Sequence, residues 1–274
     1  MNNHPMDHSH SAAIGWSTIL PSFFITAAVF ALYFYAAQSS NQRYRQWPIY
    51  RYWCFLTGIL CSASAVTGPL AHLAHNDFRV HMLGHLLLGM LGPLLIVLSF
   101  PVTLALRTLK VQWARRVSRI LRSKPVLWIS YPVTAAVLNI GGLWLIYMTG
   151  LYSAMQQHML LHILVHFHVF AAGYLFTASI IYTDPAPHRT SYMLRAITMV
   201  LAFAGHGILS KLIYAAPPEG IPQDQGEAGG LLMYYGGDFI DLVLIFIFCL
   251  QWYRASSSVL HRSGKRKQVG GNPG

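Results

Sequence analysis

Seven apolar runs, parted by short polar or charged breaks, organise the chain. They cover roughly Trp16–Ala37, Tyr52–Leu73, Val80–Leu106, Val126–Met148, His158–Tyr182, Tyr192–Tyr214 and Gly230–Tyr253. In helical form, about 20 apolar residues are as long as the hydrocarbon core of a bilayer is thick. The pattern therefore predicts an all-α polytopic membrane protein, a seven-transmembrane helix bundle over residues 16–254. A tail containing His and Met (1–15) precedes it, and a basic tail (255–274) follows, read as irregular from about Ser256. Pro69 and Pro93 fall inside the second and third runs, so kinks are expected there.

Composition sharpens this. Of 274 residues, 54% are hydrophobic and 10% charged, whereas a soluble domain carries about 25% charged residues. So few charges cannot cover a globule with a solvated surface, which excludes a soluble enzyme, a disordered chain and a soluble nucleic-acid-binding protein. The net charge is +11, and 17 of the 19 basic residues lie in alternate breaks, leaving Arg79 and Lys211 on the opposite side. Arg43, Arg45 and Arg51 follow the first run, and Arg107, Lys110, Arg115, Arg116, Arg119, Arg122 and Lys124 follow the third. Arg189 and Arg195 follow the fifth, and Arg254, Arg262, Lys265, Arg266 and Lys267 end the chain. The positive-inside rule puts these segments in the cytoplasm, so the N-terminus lies outside and the C-terminus inside, in a bacterial cytoplasmic (inner) membrane. The first residues lack the basic start of a cleaved signal peptide. Leu109, Trp113, Val117 and Ile120 form an apolar stripe between arginines, predicting a helix along the inner lipid surface. Cys54, Cys61 and Cys249 make no CxxC pair, which argues against a thiolate metal site.

Fourteen histidines remain to be explained. With the direction of each run assigned, His72 and His75, His81 and His85, His158, His162 and His166, and His206 all fall in the outer half of the membrane. His81/His85 and His162/His166 are i,i+4 pairs, and His158 extends the second series to i,i+4,i+8. Residues so spaced share one helix face. Two such pairs at matching depth offer four imidazoles, a donor set that suits copper, zinc, iron or nickel. A lone membrane histidine, such as His168 or His206 taken singly, more simply hydrogen-bonds a carbonyl. Asp238 and Asp241 lie about two to three turns into the last run. A carboxylate there costs about 2.5–3.5 kcal/mol, so a partner such as a histidine or Lys211, protonation or a polar cavity is expected. Met82 and Met233 offer thioethers for Cu(I), against ordinary packing. His4, Met6, His8 and His10 form a loose outer tract of a kind that gathers metal.

HMLGHLLLGMLGPLL (81–95), HILVHFHVFAAGYLF (162–176) and DQGEAGGLLMYYGG (224–237) together resemble the CtaG family of cytochrome c oxidase (caa-type) assembly factors, which are seven-span membrane proteins. The resemblance implies a non-enzymatic role in maturing a haem–copper oxidase, with oxidase subunits as partners and copper, Cu(I) or Cu(II), as the metal supplied. It carries His81, His85, His162, His166 and Asp224 onto this chain as functional positions. Tyr234 stands where the family commonly has Trp, and His206 and Lys211 lie outside its pattern. Taken alone, the residues leave other functions open. A zinc-dependent intramembrane hydrolase would use Asp224 or Asp238 as base. A b-haem redox protein would take one histidine from each of two helices, and a transporter would relay protons. Oligomeric state and client subunit are not encoded in any motif.

Overall fold

The computed structural model describes the backbone of residues 8–185 and 189–269, and side chains over 20–185 and 189–257. The proposed metal-gathering tract at His4, Met6, His8 and His10 lies outside the described side chains, as do the basic residues Arg262, Lys265, Arg266 and Lys267. Among the described residues all regular structure is helical. Helix α1 (His8–Asn41) is followed by α2 (Ile49–Val66), the short α3 (Pro69–Ala74) and α4 (Phe78–Leu86). Helix α4 passes through a π turn, Leu87–Leu91, into α5 (Gly92–Leu98). Next come α6 (Pro101–Thr108), α7 (Val111–Leu121), α8 (Lys124–Ile129) and α9 (Pro132–Ala136). A second π turn, Val137–Gly141, joins α9 to α10 (Gly142–Met148). Helices α11 (Leu151–Gln157), α12 (Met159–Ile180), α13 (Tyr192–Ala215) and α14 (Gln223–Val269) complete the chain.

Five helices among the described residues are long and apolar enough to cross a membrane: Leu20–Asn41, Phe78–Leu98, Met159–Ile180, Tyr192–Ala215 and Gln223–Ser257. Counting Pro132–Met148 with Leu151–Gln157, a pair bent by 78°, gives six. The fifth and sixth runs match α12 and α13 closely. The second run is divided: α2 stops at Thr67, and α3 restarts after Gly68, whose φ of 87° suits glycine. The third run ends early, because Pro101 cannot extend a helix and Phe100 before it turns left-handed at φ 58°. The fourth begins late, at Pro132, with α8 a separate turn. The chain after Ser256, read as irregular, continues as helix to Val269, since no proline interrupts residues 223–269.

The outer surface carries apolar stripes. Leu160, Ile163, Leu164 and Phe167 on α12 are exposed, as are Met193, Ile197, Val200 and Leu201 on α13. Tyr235, Phe239, Leu242 and Phe246 continue the theme on α14. Helical spacing of exposed large apolar residues marks a lipid-facing surface, since water would not tolerate patches of this extent. Inside, α14 packs along α13 and α4, α2 along α5, and α12 along α5 and the first π turn.

Pro93 explains both that π turn and the closest crossing. It has no N–H to give the carbonyl of Gly89 four residues back, so the helix widens over Leu87–Leu91. Gly173 on α12 then seats against the same carbonyl. A Cβ on Gly173 would lie 2.0 Å from the Gly89 oxygen. Two glycines thus let α12 touch the backbone of the third predicted span.

The opposite end is fixed by polar contacts. Tyr33 donates to the Ser99 carbonyl (2.8 Å) and accepts from Trp47 Nε1 (3.0 Å). Asp184 accepts from the Val102 amide (3.2 Å), the Thr103 amide (2.7 Å) and the Thr103 hydroxyl (2.6 Å), which caps α6. Arg195, counted in sequence among surface charges, is buried. It donates to the Ile180 carbonyl (2.7 Å) and lies over Tyr182 (4.4 Å) and Tyr192 (4.2 Å).

Candidate metal centre

The site begins with how α4 is started. Asp77 caps it, accepting from the Arg79 amide at 2.9 Å. The Arg79 guanidinium also hydrogen-bonds both Asp77 oxygens, which holds that carboxyl below its usual range. The free amide of Phe78 is met by Gln225 Oε1 of α14 at 3.0 Å. Helix α4 is thereby pinned at its first turn, and the π turn that follows it is held against α12 at the glycine crossing, about one turn beyond His85. The two HxxxH faces, on α4 and α12, are brought together between these anchors.

One cavity results, about 30 Å³ in volume, room for one or two water-sized guests. His81 and His85 from α4, His162 and His166 from α12, and His75 at the C-cap of α3 all line it. The His162 and His166 rings stack at 4.2 Å between centroids, and His75 stacks on His162 at 5.2 Å. His81 Nε2 lies 3.1 Å from the Tyr147 hydroxyl. His166 Nδ1 lies 2.9 Å from the His162 carbonyl. A carbonyl only accepts, so Nδ1 of His166 carries the proton and Nε2 keeps its lone pair. Both ring nitrogens of His85 are buried and without a hydrogen-bond partner.

Stacked imidazoles aim their in-plane lone pairs side by side instead of at one point. Accordingly, no group of three or more His, Cys, Asp or Glu among the described residues forms a ready coordination sphere. The cavity collects donors, and ring rotation is required to focus them. The unpartnered nitrogens of His85 and the free Nε2 of His166 match what an imidazole-binding ion needs.

Other residues singled out in the sequence fall elsewhere. His158 is exposed and precedes α12 with extended backbone (φ −124°, ψ 109°), so the i,i+4,i+8 series does not continue to it. His72 is exposed and does not line the cavity. Met82 is fully buried in the apolar core with Phe78 and Met233, so both thioethers serve packing. Asp224 is exposed in the first turn of α14, and Asp238 is exposed further along it. Lys211 lies over the Tyr234 ring at 5.2 Å. His168 Nε2 donates to the Leu138 carbonyl at 3.1 Å, within the second π turn, a structural hydrogen bond. His206 does not line the outer cavity; it borders a second, deeper one, together with His85 and Asp241.

Sequence reasoning missed the cavity's other walls: Tyr147 from α10, and Met155 and Gln156 from α11. The 78° bend after Met148 lays α11 across the histidines. The Tyr152/Gln156 pair at i,i+4, hydrogen-bonded at 3.1 Å, was the available signal for a polar helix face there.

Known proteins were compared with the chain. A family model described as cytochrome c oxidase caa3 assembly factor matches residues 31–255. An uncharacterized protein of Mycobacterium tuberculosis is 34% identical over 184 residues, 62% of this chain and 28% of its own length. One from Mycobacterium bovis has the same figures. An uncharacterized protein of Mycobacterium leprae is 27% identical over 245 residues, 80% of this chain and 36% of its own. The chain thus spans about a third or less of the length of these curated relatives. No solved structure matches it. With most of its length matched by the family model, the chain belongs to the cytochrome c oxidase caa3 assembly factor family, CtaG.

Proposed function

We propose that this protein holds copper in its outer histidine cavity and supplies it to a haem–copper oxidase during assembly in the bacterial cytoplasmic membrane. The observation that carries the reading is the gathering of five imidazoles from α3, α4 and α12 in one small cavity. In this reading the chain crosses the membrane seven times, with α2–α3 as the second crossing, the N-terminus outside and the basic links inside. His81, His162 and His166, with His75 at the rim, hold the ion, and His85 stands at the floor. Copper is cargo here, and no turnover is needed. Imidazole-only ligation suits a donor, because thiolates would retain copper more firmly.

One detail favours a carrier over a hydrolase. No carboxylate lines the outer cavity among the described residues, so a zinc hydrolase would lack its base there. The test is metal analysis of protein purified gently from membranes, beside His81→Ala/His162→Ala. Loss of copper and of oxidase maturation in the double variant is expected. Unchanged copper and unchanged oxidase would refute the reading.

A further inference from the structure

A groove of about 1100 Å³, with no histidine in its walls, opens between α1, α2 and the end of α6. It is larger than most small-molecule sites, which run to roughly 300–1,000 Å³. Its walls follow one order along both long helices. On α1, Phe30 and Phe34 come first, and Gln38 stands one turn nearer the link to α2. On α2, Arg51 lies in the first turn, and Trp53 and Leu56 lie further from the link. Arg45 comes from the link itself, and Arg107 from the last turn of α6. The charged end is thus at the link, and from Gln38 back to Phe30 the apolar part runs along about 12 Å of helix. Phe34 and Trp53 are exposed, so that part is open to lipid.

The charged end is held in place. Arg51 Cζ lies 3.8 Å from the centre of the Phe100 ring and 4.4 Å from that of the buried Trp47. Arg107 Cζ lies 5.3 Å from the same Trp47 ring and 5.4 Å from the Tyr44 ring. These are cation–π distances. Two cations around one indole repel each other, and no carboxylate lines the groove among the described residues. The ion pair found among those residues joins Arg79 to Asp77, at the start of α4. Setting topology needs positive charge on one side of a membrane. It does not need guanidiniums fixed over rings.

We propose that this groove holds one anionic phospholipid, with its phosphate among Arg45, Arg51 and Arg107 and its acyl chains along Phe30, Phe34 and Leu56. A guanidinium presents paired N–H donors that match phosphate oxygens. Charge decides the headgroup, because the ammonium of a zwitterionic lipid would meet arginines and no carboxylate at that end. A free phosphate would leave the aromatic stretch unused. An acidic peptide would spread its charges along its length, whereas the cations here stand at one end. The site is independent of the copper reading of the outer cavity.

The test is reconstitution of the full-length protein into phosphatidylcholine vesicles with phosphatidylglycerol as the minor lipid, followed by extraction in mild detergent. Native mass spectrometry then counts each lipid left on the chain. Wild type is expected to keep one phosphatidylglycerol, enriched about tenfold over its share of the vesicle, the gain that one charge-assisted hydrogen bond brings. Arg51→Lys/Arg107→Lys keeps the net charge of +11 but loses the planar forks, and its enrichment is expected to vanish. Gln38→Glu, nearly isosteric and at an exposed position, sets a carboxylate near the charged end. It carries the same prediction should the double variant fail to fold. Arg115→Lys/Arg119→Lys, exposed on α7, is expected to keep the lipid. Lipids kept in the proportions of the vesicle overturn the proposal and leave the groove to an acidic protein segment. Enrichment that survives in both Arg51→Lys/Arg107→Lys and Gln38→Glu, or is lost equally in the α7 variant, belongs to the whole basic face and overturns it too. Inorganic phosphate added during extraction is expected to leave the lipid in place. Release by phosphate, where chloride at equal ionic strength has no effect, assigns the groove to a free anion and refutes the lipid.

Discussion

Substituting Gly173 by alanine tests the contact on which the assembly of both HxxxH faces depends. The added Cβ would sit 2.0 Å from the Gly89 oxygen and 3.4 Å from its Cα. Ordinary contact begins near 3.4 Å, so α12 must withdraw by the difference, 1.4 Å. The obstacle is backbone and cannot rotate aside as a side chain would. Overpacking of this kind costs about 1–3 kcal/mol, against about 1 kcal/mol gained by alanine over glycine within a helix. A net loss of up to about 2 kcal/mol is expected. Gly173 follows His166 by seven residues, two turns or about 10 Å, so the same withdrawal moves His162 and His166 away from His81. The assay is thermal unfolding in mild detergent, followed by tryptophan fluorescence, with copper content measured on the same samples. Gly150→Ala is the control, because nothing lies within 4 Å of a Cβ there. If Gly173→Ala unfolds no lower than wild type and binds as much copper as wild type, the crossing does not hold the site together.

Further expectations concern stability separate from metal. Asp184→Ala removes the acceptor of three hydrogen bonds at the start of α6, so a loss of about 1–2 kcal/mol is expected in the same melt, with copper content unchanged. Arg195→Lys abolishes the planar stacking on Tyr182 and Tyr192. It should lower the melting temperature clearly, whereas Arg119→Lys, at an exposed position, should not. His168→Leu removes the side-chain hydrogen bond to the Leu138 carbonyl, which keeps the Gly142 amide, and should destabilise by about 0.5–1.5 kcal/mol while sparing copper. Copper lost without any loss of stability in that variant would overturn the structural role of His168.

The sequence made the helical class legible because apolar run length responds to one demand, the thickness of a bilayer. Helices α12 and α13 follow their runs nearly residue for residue, since neither contains proline or a competing cap. Breaks at Gly68, Phe100 and Ser130–Tyr131 were harder to see. Each depends on a local backbone choice that hydropathy averages away. The HxxxH pairs were legible through helical spacing, and His81, His85, His162 and His166 do meet. His158 failed because spacing applies only within a helix, and α12 starts one residue later. Met82 failed because it lies about 100° round the helix from His81, on the flank that packs against α14 with Phe78 and Met233. Tyr147 and Gln156 stayed hidden because a 78° bend brings them in, and no residue pattern along a line encodes the direction of a bend.

A π turn is an α-helix carrying one residue more than its hydrogen bonding needs. Each residue advances an α-helix by about 100°. The five residues Leu87–Leu91 therefore set the angular phase between the histidines before them and the packing face of α5 after them. Delete one residue there and hydrophobicity, length and composition barely change, yet His81 and His85 swing by about 100° relative to α5, toward the flank of the bundle. The chemistry of this helix is stored as rotation, in a surplus residue that has no reactive group of its own.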